Sequence, residues 1–166
     1  ALERVSLMNQ MTLRDLMRVH VGYEADAPAL LAPGRPPLNY RQLLDHLDRT
    51  ASALRGFGVG RGDRIAVVLP NGPEMAAAFL AAASAATCAP LNPGYRAEEF
   101  DFYLSDLRAQ ALILEAGAES PARDCARQRG IAILELVAGD RAGLFELKGP
   151  AATPDGGGLS EPGDVA

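Results

Sequence analysis

Residues 75–86 read MAAAFLAAASAA, a stretch with no charge and little bulk. A helix of that composition has no face that prefers water, so it belongs in a core, where its small side chains let neighbouring elements come close. What flanks it fixes the surroundings. Residues 64–69 (RIAVVL) form a short, nearly continuous apolar run, which suits a strand covered on both faces. Asn71 or Gly72 can cap the helix, Pro73 fits near its first position, and Glu74 stands near the positive end of its dipole. Residues 87–90 then make a second strand, which runs into the loop Leu91-Asn92-Pro93-Gly94-Tyr95. Residues 58–95 are therefore one βαβ unit.

The rest of the chain repeats that alternation. Thr12 reads as a helix N-cap with Asp15 three residues on, and Leu13, Leu16, Met17 and His20 share one face. Residues 29–31 and 37–40, separated by the turn Pro33-Gly34, predict a small hairpin. Asn39 caps a second helix with Gln42 at its third position. Leu43, Leu44, Leu47, Ala51, Leu54 and Phe57 recur along it at helical spacing until Gly58 stops it. Phe100, Tyr103, Leu104 and Leu107 mark another amphipathic helix over residues 97–107. Residues 111–115 (ALILE) and 131–137 (IAILELV) are strands, with a helix between them begun by Ser120-Pro121 and stopped by Gly130. Residues 144–147 can add one more short strand. Strand and helix alternate through short connections, which predicts an α/β domain with a mostly parallel, doubly wound sheet, helices on both faces and right-handed crossovers.

A chain of 166 residues fits one domain, or a large piece of one. Residues 1–11 show no periodicity and are set aside as flexible or added sequence. Residues 12–149 make up the α/β subdomain. Residues 150–166, rich in glycine and proline with nothing to bury, read as a flexible linker. The last residues, Asp164-Val165-Ala166, look like the entry to a further element, so a cut inside a larger domain is expected.

Composition narrows the function. A formal charge of -5 and a pI near 5.0 argue against a nucleic-acid partner, which calls for a basic patch or stripe. Cys88 and Cys125 lie far apart without metal-ligand spacing, and no apolar signal region precedes them, so a reduced, cytoplasmic protein is expected. Residues 75–86 are too few to span a bilayer, and no transmembrane segment is predicted. Lys148 is the only lysine, which leaves chemistry needing an activated lysine with one poor candidate.

Several motifs suggest chemistry that their context denies. Gly56, Gly58, Gly60 and Gly62 alternate like a dinucleotide fingerprint, but that fingerprint needs a strand before the glycines and a helix after them. Here the order is reversed, which leaves a helix stop and a turn. Residues 156–158 are a glycine triplet with no following lysine and so no P-loop. His20 and His46 have no cysteine or second histidine at ligand spacing and are expected to be partly exposed surface residues. Ser84 lacks the glycines of a nucleophile elbow, Cys88 and Cys125 read as inert core thiols, and Glu98-Glu99 as solvated helix residues. The loop at residues 91–95 is more informative, because it follows the carboxyl end of a strand, where open α/β sheets place ligands. Its other reading is a plain proline-glycine turn into the helix at Arg96.

Four short motifs follow one another in fixed order: Tyr40-Arg41-Gln42-Leu43 leading a helix, Gly62-Asp63-Arg64-Ile65-Ala66 entering a strand, Leu69-Pro70-Asn71 leaving it, and Ala89-Pro90-Leu91-Asn92-Pro93 after the alanine helix. Together they resemble the N-terminal segment of the adenylate-forming superfamily, which holds acyl-CoA synthetases, peptide-synthetase adenylation domains and firefly luciferase. The resemblance covers roughly residues 12–137. It is nearer the acyl-CoA synthetase branch, since the peptide-synthetase branch usually shows a glycine where this chain has residues 85–88. Residues 161–166 resemble the approach to the family's phosphate loop, which does not itself occur in the sequence.

The resemblance implies that the chain is part of the large N-terminal domain of an acid-thiol ligase. Such a parent enzyme activates a small-molecule carboxylic acid with ATP and Mg2+ to an acyl-adenylate, then passes the acyl group to coenzyme A (CoA). It also implies that the phosphate loop, the adenine and ribose contacts, the magnesium-binding acid and the lysine of the small C-terminal domain lie beyond residue 166. On that reading the chain alone holds no catalytic residue, metal ligand or cofactor of its own and catalyses neither half-reaction. In relatives that use CoA the loop matching Asn92, Pro93 and Gly94 lies near its nucleotide end, and those three are the candidate site residues. The alternative is a free-standing flavodoxin-like or Rossmann-like domain that binds a small ligand or a protein partner. For a piece cut from a larger domain, exposed strand edges and apolar surface predict self-association.

Overall fold

The computed structural model describes residues 11–154 and 157–165. Apart from Met11, the stretch at residues 1–11 lies outside the described residues. Thr12 opens helix α1 (Leu13–Glu24) with a reciprocal cap: its Oγ1 accepts from the Asp15 N–H at 3.1 Å, and the Asp15 carboxylate accepts from the Thr12 N–H at 3.1 Å. Strands β1 (Pro28–Ala32) and β2 (Arg35–Asn39) form an antiparallel hairpin. Asn39 and Gln42 then cap helix α2 (Tyr40–Gly56) in the same reciprocal way, at 2.8 and 3.1 Å. Both caps use N–H groups that a helix start leaves without partners.

The remaining elements are β3 (Arg64–Val68), α3 (Pro73–Ala85), β4 (Thr87–Pro90), α4 (Ala97–Asp106), β5 (Ala111–Glu115), α5 (Pro121–Gln128), β6 (Ala132–Ala138) and β7 (Phe145–Lys148). Five of the strands form one sheet in the order β4-β3-β5-β6-β7. The first four run parallel; β7 is antiparallel to β6, pairing Ala138 with Phe145 and Glu135 with Lys148. The direction of β7 follows from its connection. Residues 139–144 are a tight turn, too short for the crossover that a parallel neighbour requires.

A period of two divides each apolar run between two cores. Ile65 and Val67 of β3 join the cluster under α2 and α3, whereas Ala66 and Val68 join the one under α4 and α5. Along β5, Ala111 and Ile113 face the first cluster and Leu112 and Leu114 the second. The absence of polar alternation in these strands is thus the signature of a sheet covered twice. Helix α3 buries Ala77, Ala78 and every residue from 81 to 85, but Ala76 is exposed and Phe79 and Leu80 are half-buried. Its first turns are less enclosed than their composition suggests, because α1, which lies against α3, buries none of its own residues.

β3 hands its chain to α3 on one face, while β5 hands its chain to α5 on the other. Their carboxyl ends therefore form a topological switch point, the crevice where open α/β sheets admit ligands. Its rim includes Asn71 and Gly72 after β3 and Ala116 and Gly117 after β5, all exposed.

Candidate functional site

The loop after β4 begins where the Leu91 N–H donates to the Val67 carbonyl at 2.9 Å, beside the carboxyl end of β3. Asn92 Oδ1 accepts from the Gly94 N–H at 2.9 Å, and the Tyr95 N–H donates to the Asn92 carbonyl at 3.1 Å. These two bonds close a compact turn that delivers the chain to Arg96, the N-cap of α4. A Cβ on Gly94 would stand 3.3 Å from Asn92 Oδ1, so any side chain there presses on the group that closes the turn. Asn92, Pro93 and Gly94 are therefore brought together on the surface, all exposed. Behind them the Tyr95 ring stacks on Tyr103 with centroids 5.2 Å apart and meets Phe100 edge-on at 5.8 Å. The Tyr103 hydroxyl raises the Tyr95 hydroxyl above the ordinary phenol range.

Arg96 is the residue that sequence reasoning passed over, having read it only as a helix start. It is exposed and, like Arg18, Arg49, Arg64 and Arg108, has no ion-pair partner among the described residues; what sets it apart is its place beside the turn. An uncommitted guanidinium beside an exposed turn suits a phosphate-bearing group. The signal for Arg96 was its place directly after the loop.

The other motifs fall elsewhere. Gly58 and Gly62 adopt φ of 76° and 91° in the turn between α2 and β3, at the amino end of the sheet and away from the switch point. Ser84 donates its hydroxyl to the Leu80 carbonyl at 2.7 Å, a bond within its own helix. Burial pushes the Cys88 thiol up to about 12. Cys125 donates to the Ala97 carbonyl at 3.3 Å, and burial, with Asp101 and Asp124 nearby, raises it as well. Neither thiol is activated as a nucleophile. Among the described residues no group of three or more His, Cys, Asp or Glu is arranged to hold a metal ion.

His20 is half-buried against the Tyr40 ring at 4.0 Å. His46 overturns the expectation of a surface histidine: only 2% of it is exposed, and Phe145 of β7 packs edge-on against its ring at 4.4 Å. The wall that buries it comes from a hairpin about a hundred residues away, which the local pattern of α2 does not reveal. Near the other end of the chain, Arg61 grips both Glu161 and Asp164 at 2.8 Å, and Thr87 Oγ1 donates to the Val165 carbonyl at 2.9 Å.

Strand order and switch point define this molecule as a doubly wound α/β scaffold. The chain belongs to the family of AMP-binding enzymes, whose model matches residues 18–154. It is 35% identical over 142 residues to a probable CoA ligase of Humulus lupulus, covering 85% of this chain and 27% of that protein. It is 38% identical over 121 residues to an oxalate-CoA ligase of Arabidopsis thaliana, covering 72% and 24%. The fold matches a fatty acyl CoA synthetase of Mycobacterium tuberculosis with a TM-score of 0.62 and 26% identity, over 73% of this chain and 23% of the other. The chain thus spans about a quarter of the length of these two curated relatives. The strand order alone equally suits a free-standing flavodoxin-like domain; the family match decides between the two readings. Among the described residues no helix is long and apolar enough to cross a membrane.

Proposed function

We propose that this chain is the N-terminal α/β subdomain of an acid-thiol ligase, with residues 12–149 as the folded unit and 150–166 as its connector. The parent enzyme joins a carboxylic acid to AMP at the expense of ATP, releasing pyrophosphate, and then exchanges AMP for the CoA thiol. The observation that carries this reading is the family match over residues 18–154, joined by CoA ligases among the relatives.

On this reading the chain supplies architecture rather than chemistry. Donors from outside residues 1–166, with the magnesium ion they would hold, would stabilise the charge on the transferring phosphate. Within the chain, the exposed turn at Asn92, Pro93 and Gly94 would border the nucleotide end of CoA, and Arg96 beside it would supply a charge for its phosphates. The protein works in the cytoplasm. The test is to express the longest reading frame containing this chain and to screen carboxylic acids for ATP-pyrophosphate exchange and for CoA thioester formation. The long form is expected to catalyse both steps and residues 1–166 alone neither. Exchange by the 166-residue chain, or a long form that forms adenylate but never a CoA thioester, would sink the proposal.

A further inference from the structure

A cleft of about 640 Å³ opens between α2 and the β6–β7 hairpin, and the family reading leaves it unused. His46, Arg49, Thr50 and Ala53 line one wall, on successive turns of α2; residues 137–140 and 144–147 line the other. Its volume lies in the range of small-molecule sites. Polar side chains buried in the described core are few: His46, Thr50 and Ser84. Ser84 is satisfied within its helix, and the other two both line this cleft. His46 Nε2 is buried with no hydrogen-bond partner, a condition that native cores rarely leave in place.

We propose that this cleft binds a neutral, largely apolar small molecule carrying a hydroxyl group, with His46 and Thr50 as its polar anchors. The charged residues at the cleft, Arg49, Asp140 and Glu146, are exposed and of both signs, so none of them leaves a strong field of one sign inside it. Burial, with Arg49 beside it, pushes the His46 imidazole down to about 4, so the ring is neutral at neutral pH. A neutral imidazole nitrogen either donates or accepts, and a hydroxyl does both, so it matches whichever tautomer is present. Val137, Leu144 and Phe145 supply the apolar remainder of the surface. Nε2 is closed to solvent in the free chain, so contact with a ligand in the cleft requires the ring to turn about its Cβ–Cγ bond. The site is separate from the turn at residues 92–94: β7 and β4 are opposite edges of the sheet, so one site can fail without the other.

The experiment titrates the 166-residue chain with phenol and, in parallel, with toluene, which has the same ring without the hydroxyl. Binding is followed by the nitrogen resonances of the His46 imidazole and by the melting temperature. Phenol is expected to bind about tenfold more tightly than toluene and to shift the His46 nitrogens. His46→Leu and Thr50→Val are each expected to reduce that preference severalfold. Equal affinity for the two probes, absence of binding, or unmoved His46 resonances would overturn the proposal. Should His46→Leu fail to fold, Thr50→Val and the wild-type resonances decide it, and a preference intact in Thr50→Val with still resonances counts against it.

Discussion

Arg35 and Glu74 meet in an ion pair of 2.6 Å that joins the β1–β2 hairpin to the first turn of α3. Glu74 also accepts from the Gly143 N–H at 3.2 Å, and Arg35 donates to the carbonyls of Gly139 and Arg141. One half-buried pair thus fastens three pieces of chain that are far apart in sequence. Arg35→Met keeps most of the stem but strands a carboxylate and two carbonyls, and is expected to cost about 2 kcal/mol. Urea unfolding should show a lower midpoint at an unchanged slope. A midpoint within error of wild type would mean that water replaces the guanidinium without loss.

His46 gives the fold an acid-sensitive point. Its folded pKa, about 4, lies below the ordinary value of 6.5, so the unfolded chain binds more protons between those limits. Stability is therefore fully present above about pH 6.5 and drains away as pH falls toward 4. The expected loss is about 2 kcal/mol, smaller than the full shift implies because the ring borders an open cleft. Asp15, Asp101 and Asp164 are held below their ordinary 3.8 by hydrogen bonds from Thr12, Arg129 and Arg61 respectively, so their contribution is lost at lower pH still. His46→Leu should flatten the profile between pH 6.5 and 4 and leave the drop below it. A slope in that window that survives the substitution would point to another group.

The proposed CoA contact is tested in the long form of the enzyme. Arg96→Gln is expected to raise the KM for CoA about tenfold while leaving ATP-pyrophosphate exchange unchanged, because adenylation precedes CoA. Equal loss in both half-reactions would show that Arg96 supports the fold rather than the thiol substrate.

Helix α3 offers the opposite kind of test, since it has no spare volume. Ala82 is fully buried, and Ala82→Leu is expected to destabilise by about 1–3 kcal/mol through overpacking, although it adds apolar surface. A neutral thermal-melt result would reveal slack between α2 and α3.

Self-association is the expectation for an open sheet whose outer strands are β4 and β7. Sedimentation of the 166-residue chain over a range of concentrations should show a rising average mass. A constant monomer mass would show that both edges are blunted.

Local features were legible because they depend on neighbours in sequence. The caps at Thr12 and Asn39 and the stripe of α2 needed only spacing, and the order of four motifs sufficed for the family. The burial of His46 was hidden because it depends on how residues 139–147 fold back onto α2, a contact that no local pattern encodes, whereas the direction of β7 needed only the length of the turn before it. The turn at Asn92 was visible as a loop after a strand. Arg96 was not, since a helix-start residue and a free cation look alike until its possible partners are placed.

The division of β3 between two cores has a bearing on what keeps that strand in register. A slip by one residue would turn Ile65 and Val67 toward α4 and α5 and Ala66 and Val68 toward α2 and α3. Water would not object, because both sides are dry. Only shape tells the two sides apart, so at the centre of this sheet it is volume, rather than polarity, that keeps the strand in place.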